Sequence, residues 1–222
     1  MQLWSKLYGY RFELLLAGQV AILFGGLVLP LPLFETVASP VLFALNLLIG
    51  VLLFSASKKK MFFVVILLVI AVFSLLFEFS TDKPSHFVKG LKLFPFFLFF
   101  LLLVIELMSQ IWSAKVIGKN VIYGLISGYI ALGFIAFFVC LSIETFSPGS
   151  YNGIPIVEGI SSSEDLMYYS YITLMTIGYG EIVPETMLAK KAAVLIGLMG
   201  QFYLVILTAI VVGKFVNQRK PD

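Results

Sequence analysis

Thr176, Ile177, Gly178, Tyr179 and Gly180 form the stretch of this chain whose residue types and order could do chemistry on an ion. Glycines at 178 and 180 let the backbone take conformations that side chains resist. That freedom allows successive carbonyl oxygens to face one way into a narrow opening. A ring of such oxygens can replace the water shell of a potassium ion. A lone Gly-Tyr-Gly is equally a tight turn in a loop, so the flanking elements decide what these residues do.

The composition sets the surroundings. Hydrophobic residues make up 60% of the 222, charged residues 12%, and mean hydropathy is +1.05. Soluble domains carry about 25% charged residues, so this is the composition of an integral membrane protein. The net charge of +3 is small and scattered, which argues against nucleic-acid binding. The single cysteine, Cys140, and the single histidine, His86, give no zinc or haem motif and no intrachain disulfide. No cofactor is expected.

Six apolar segments approach the length of about 20 residues that a spanning helix needs. They cover Phe12–Leu29, Val37–Ala56, Met61–Phe79, Leu91–Trp112, Val121–Ile143 and Met187–Val212. Backbone in lipid must satisfy its own hydrogen bonds, so helices are the default for such runs. The fold expected is an all-α membrane protein with six transmembrane helices. The first segment, preceded by Lys6 and Arg11, is longer than a signal-peptide core and is expected to be retained.

Basic residues set the orientation. Lys6 and Arg11, Lys58 to Lys60, Lys115 and Lys119, and Lys214, Arg219 and Lys220 all fall on one side of a six-span chain. That side is expected to be cytoplasmic, with both termini inside the cell membrane. Lys83, Lys89, Lys92, Lys190 and Lys191 run against the trend. Acids collect opposite: Glu35, Glu78, Asp82, Glu144, Glu158, Glu164, Asp165, Glu181 and Glu185. Most read as solvated loop acids. Glu181, beside the glycines, is placed to raise the local cation concentration.

Between the fifth and sixth segments, Pro148, Gly149, Asn152, Gly153 and Pro155 form a loop. Ser161 with Glu164, and Ser162 with Asp165, have the spacing that opens a capped helix. Residues 166–175 are apolar but too short to cross a membrane. They read as a re-entrant half-helix, tolerated at membrane depth where protein surrounds it. Its negative C-terminal end would face the place where a cation is held.

Here a resemblance becomes specific. Residues 121–216 resemble the pore domain of tetrameric potassium channels: outer helix, pore helix, filter, inner helix. Thr176 to Gly180 resemble the family's Thr-Val/Ile-Gly-Tyr-Gly filter, with Glu181 where the family often has Asp and Pro184 where many members have proline. Tyr168 and Tyr169 stand in the place of an aromatic pair that supports the filter tyrosine. Gly200 stands at the inner-helix hinge glycine, with close helix packing as its alternative. Residues 200–207 also resemble small bacterial six-helix channel-like proteins.

The resemblance implies potassium sites at the carbonyls of Thr176, Ile177, Gly178 and Tyr179, with the Thr176 hydroxyl. It implies a Tyr179 ring turned away from the ion, and a homotetramer in membrane lipid, since one chain supplies one strand of the ring.

Two departures matter. Ile172 replaces a glutamate that some members pair with the acid behind the filter, and Leu207-Thr208-Ala209 replaces the Pro-x-Pro bend of voltage-gated relatives. Residues 1–115 are expected to be a four-helix, voltage-sensor-like membrane domain, and 116–222 the pore domain. Leu93 to Met108 carry no basic residue, so strong voltage sensing by the fourth helix is not expected. Glu106, its only charge, reads as an interfacial acid or as a partner of Lys115 or Arg11. Gln19 and Asn46 read as interhelical hydrogen-bond partners. The tail after Val216 holds six residues, so control is expected to reside in the membrane domain, the filter or a separate regulatory partner.

The reading expected is a passive potassium-selective channel. Its alternatives are a weakly selective cation channel and a non-conducting scaffold or regulatory subunit. An enzyme is not expected, since the sequence offers no nucleophile–base pair and no metal-ligand cluster.

Overall fold

The computed structural model describes residues 7–30, 33–55, 57–79, 86–114, 116–154, 156–157, 160–161 and 163–218. Lys6, Asp82, Lys83, Lys115, Pro155, Glu158, Ser162, Arg219 and Lys220 lie outside the described residues. Seven helices organise the rest: α1 (Arg11–Phe24), α2 (Ser39–Phe54), α3 (Lys58–Phe79), α4 (His86–Ser113), α5 (Lys119–Phe146), α6 (Ser163–Leu174) and α7 (Met187–Gln218). Among the described residues, four helical stretches are long and apolar enough to cross a membrane: Phe34–Phe54, Leu93–Ser113, Lys119–Phe146 and Met187–Lys214.

The ends of α1 and α4 differ from the sequence expectation. α1 stops at Phe24 and passes into a 3-10 turn at Gly25–Leu27, rather than continuing to Leu29. A side chain at Gly25 would collide with the Phe34 ring, so the helix end and the following π-helical turn (Phe34–Ala38) pack through that gap. α2 then starts with Pro40 in its first turn, where the missing N–H costs little. α4 begins upstream of Leu91, at His86, so Pro95 lies inside it. The buried rings of Phe96, Phe99 and Phe100 just beyond Pro95 hold the helix in place by packing.

One apolar core runs across position 115. Phe43 of α2 sits 5.9 Å from Phe100 of α4 and 5.3 and 5.2 Å from Phe134 and Phe138 of α5, ring centre to ring centre. Phe99 fills the slot left by Gly50. Buried aromatic pairs at these separations add about 0.5–1.5 kcal/mol each beyond area burial.

Polar residues within this core find partners on other helices. Ser127 Oγ donates to Gln19 Oε1 at 2.7 Å, and Asn46 Nδ2 donates to the Leu15 carbonyl at 3.2 Å. Glu106 pairs with Lys60 at 2.6 Å and accepts from Gln110 at 2.9 Å. Its cationic partner is therefore a lysine of the first turn of α3. Arg11, one of the partners expected for it, donates to the Tyr8 carbonyl.

Candidate functional site

α6 is held from two sides. On α5, Gly133 leaves room for the Tyr171 ring, whose hydroxyl donates to the Ile130 carbonyl at 2.7 Å. Ser170 Oγ reaches the Gly133 carbonyl at 3.4 Å and the Met167 carbonyl at 2.7 Å. On α7, Gly200 lies so close that a methyl group there would overlap the Leu174 carbonyl oxygen. α7 is continuous through Gly200, and Tyr203 ties it back to α5 by donating to the Leu125 carbonyl at 2.7 Å beside Gly128. Leu166 and Leu174 are fully buried in this wedge.

The start of α6 takes its acceptor from far away in the chain. Glu35 Oε1, on the π-helical turn, accepts the Glu164 N–H at 3.1 Å and the Ser163 hydroxyl at 3.2 Å. The helix opens at Ser163, and of Ser161 only its place in the short strand β3 (Ile160–Ser161) is described. β3 pairs with β2 (Ile156–Val157).

The end of α6 builds the candidate site. The Ile177 N–H donates to the Ile172 carbonyl at 2.8 Å, and the Thr176 N–H to the Thr173 carbonyl at 3.0 Å. That pair of bonds is a Schellman ending, which needs a left-handed residue just past the helix and usually uses glycine there. This chain uses Thr176, at φ +58°. The Gly178 N–H also approaches the Ile172 carbonyl, at 3.4 Å. Gly178 and Gly180 are left-handed too, at φ +56° and +91°, while Ile177 and Tyr179 are not. The five residues therefore alternate in handedness, starting from the negative end of a helix.

The chain leaves Gly180 into a brace. β4 (Val183–Pro184) pairs antiparallel with β1 (Tyr151–Asn152), and the Glu185 N–H donates to the Ser150 carbonyl at 2.8 Å. Gly153 admits the Glu181 carbonyl so closely that no side chain fits. The Tyr151 ring meets the buried Tyr169 ring at 5.1 Å, edge to face. Glu144 is buried, not solvated; its carboxylate accepts the Gly149 and Ser150 N–H groups at 2.8 and 2.9 Å and fixes the turn that feeds β1.

Tyr168 and Tyr169 play different parts. Tyr169 is buried in the brace. Tyr168 stays exposed, and its interaction with the Glu181 carboxylate pushes the phenol up to about 12. Tyr179 is 72% exposed in this chain.

Thr176 has one more partner: Gln201 Nε2 of α7 donates to its Oγ1 at 3.2 Å. Gln201, Glu35 and the buried role of Glu144 were not anticipated from sequence. Gln201 carried a signal, an amide inside an apolar helix, because such a group seeks a partner. Glu35 carried none, since its target lies 129 residues away. Among the described residues, no group of His, Cys, Asp and Glu is arranged to hold a metal ion.

Residues 124–217 match a family model described as an ion channel, over less than half of the chain. No curated protein and no solved structure matches the chain. The matched segment takes in nearly all of α5, all of α6, the alternating stretch and α7 to Asn217. The similarity supports an ion channel, and the four long apolar helices support a membrane protein.

Proposed function

We propose that this chain is a passive potassium channel of the cytoplasmic membrane, working as a homotetramer with Thr176 to Gly180 as its selectivity filter. The observation that carries the reading is the alternation of handedness at Thr176, Gly178 and Gly180. In a β-strand successive carbonyls point to opposite sides. Alternating left- and right-handed residues bring them to the same side, the arrangement that dehydrates a potassium ion. A threonine in the left-handed region costs about 1–2 kcal/mol. Such strain persists where surroundings over-determine it, and it clusters at functional sites.

In this reading the carbonyls of Thr176, Ile177, Gly178 and Tyr179, with the Thr176 hydroxyl, hold K+. The Tyr179 ring turns from the ion and packs on a neighbouring copy. Tyr168, Tyr169 and the β1–β4 brace stiffen the filter from behind, and Glu181 draws cations to its mouth. α6 is the pore helix, and α5 and α7 are the outer and inner helices. α1 with its 3-10 turn, α2, α3 and α4 complete six spans, with both termini cytoplasmic.

Support for the assembly comes from α7. Its buried positions form one stripe, Ala189, Ala192, Ile196, Gly200, Tyr203 and Leu207, while apolar residues such as Leu195, Leu198, Phe202 and Val205 lie exposed. Apolar faces of that kind need lipid or further copies to cover them. Leu93 to Met108 of α4 carry no basic residue, so conduction is not strongly voltage-gated.

Flux from proteoliposomes tests the reading. K+ gradients should drive flux, Na+ gradients should not, and Gly178→Ala should abolish conduction. Equal Na+ and K+ flux would leave a weakly selective cation channel. No flux from an intact tetramer, across voltage, pH and lipid composition, would leave a scaffold or regulatory subunit.

A further inference from the structure

We infer that Gln201 is a positioning residue that sets how strongly the Thr176 hydroxyl binds a cation. The inference rests on the filter reading above and deepens it. Gln201 lies on α7, one residue beyond the point where Gly200 brings that helix against the Leu174 carbonyl. A larger residue at 200 would hold α7 away. With glycine there, the Gln201 amide reaches the filter base and donates from Nε2 to Thr176 Oγ1 at 3.2 Å. Thr176 is fixed by the end of α6, through the Thr176–Thr173 and Ile177–Ile172 bonds on either side of it. Both partners therefore sit on firmly placed backbone.

The chemistry follows from the inventory of a hydroxyl. It has one hydrogen and two acceptor lone pairs. The Gln201 N–H occupies one lone pair and withdraws electron density from the oxygen. One lone pair is left for an ion at the inner end of the filter, and it is a poorer ligand than in a free hydroxyl. In a fourfold ring, four amides weaken the innermost site in the same way. Conduction needs sites that bind well enough to enter and weakly enough to leave. Gln201 shifts the innermost site toward release.

Barium is the probe, because Ba2+ is close to K+ in size and carries twice the charge, so it reports the strength of an oxygen cage. Ba2+ binding to the purified full-length protein is measured by calorimetry, alongside K+ flux of the wild type in proteoliposomes. Gln201→Met keeps the length of the side chain and removes the donor. It should bind Ba2+ at least about threefold more tightly, the low end of what one neutral hydrogen bond is worth, because the ring loses four donors at once. Gln201→Ala also lacks the donor and carries the same expectation if the Met variant does not assemble.

Tightening is not what structural damage produces, since a loosened filter binds ions less well. Unchanged or weaker Ba2+ binding in the recovered variant, with K+ flux intact in the wild type, overturns this inference alone. Absence of K+ flux in the wild type overturns the filter reading and this inference with it.

Discussion

Glu35 Oε1 accepts the backbone N–H of Glu164 at 3.1 Å, so a carboxylate of the turn between α1 and α2 closes the start of α6. An acceptor at a helix N-terminus satisfies a donor left open by helix geometry and favours the positive end of the dipole. The arrangement brings a second carboxylate, Glu164, into half-buried surroundings beside Glu35 and Asp165, with Gly26 against it.

A pH dependence of stability follows. Burial first, then the charges of Glu35 and Asp165, push the Glu164 carboxyl from 4.5 up to about 7. The folded protein therefore holds this proton more tightly than the unfolded chain does. The contribution is complete below about pH 4.5 and is lost as pH rises through about 7. Thermal unfolding in detergent across that window should show wild type losing more stability with rising pH than Glu164→Gln. Parallel curves for the two proteins would sink the assignment.

How much of this was legible in sequence depends on distance along the chain. The alternating stretch, α6 and the long helices are local, written in glycine spacing and apolar runs, and the structure places them within a few residues. The end of α1 is not legible there because Gly25 admits the Phe34 ring, a contact that hydropathy does not encode. The lysine partner of Glu106 sits 46 residues away, and Lys60 was one cation among several on that side. Glu144 read as a loop acid because nothing in its neighbours shows that the chain folds back over it.

Glu144 sets a second test. Its two oxygens take the Gly149 and Ser150 N–H groups, and Ser150 is fully buried. Removing an acceptor for buried donors costs about 1–3 kcal/mol. Glu144→Ala should destabilise the protein by that amount and loosen β1, which hydrogen exchange at Tyr151 would report. Glu144→Gln keeps one acceptor oxygen and should recover part of the loss. Equal behaviour of the two variants would show that the carboxylate oxygens do not hold the turn.

Lys214 links the far end of α7 to α4. Its ammonium donates to the carbonyls of Ile111 and Trp112 in the last turn, at 2.9 and 2.7 Å, and of Ala114 just beyond the helix, at 2.6 Å. A cation at a helix C-terminus contributes about 0.3–1 kcal/mol at the surface and up to about 2 kcal/mol when partly buried. Lys214→Met should lower the unfolding temperature and speed hydrogen exchange in the last turn of α4, while Lys214→Arg should keep both near wild type. If the Met variant exchanges at the wild-type rate, α7 is not anchored through this lysine.

Gly197 and Gly200 separate packing from hinge action, because they share a helix but not a neighbourhood. Nothing lies within 4 Å of a methyl group placed at Gly197, whereas one at Gly200 overlaps the Leu174 carbonyl oxygen. Alanine favours a helix interior over glycine by about 1 kcal/mol. Gly197→Ala should therefore raise thermal stability. Gly200→Ala should lower it, by about 1–3 kcal/mol for overpacking, because α7 must move off the end of α6 and carry Gln201 away from Thr176. A glycine conserving only hinge freedom would give the opposite result at 200, since alanine would stiffen the helix without a clash. A rise in stability for Gly200→Ala would thus replace the close-packing role with the hinge, and a fall alongside a stabilised Gly197→Ala would assign Gly200 to the contact that brings the inner helix against the filter.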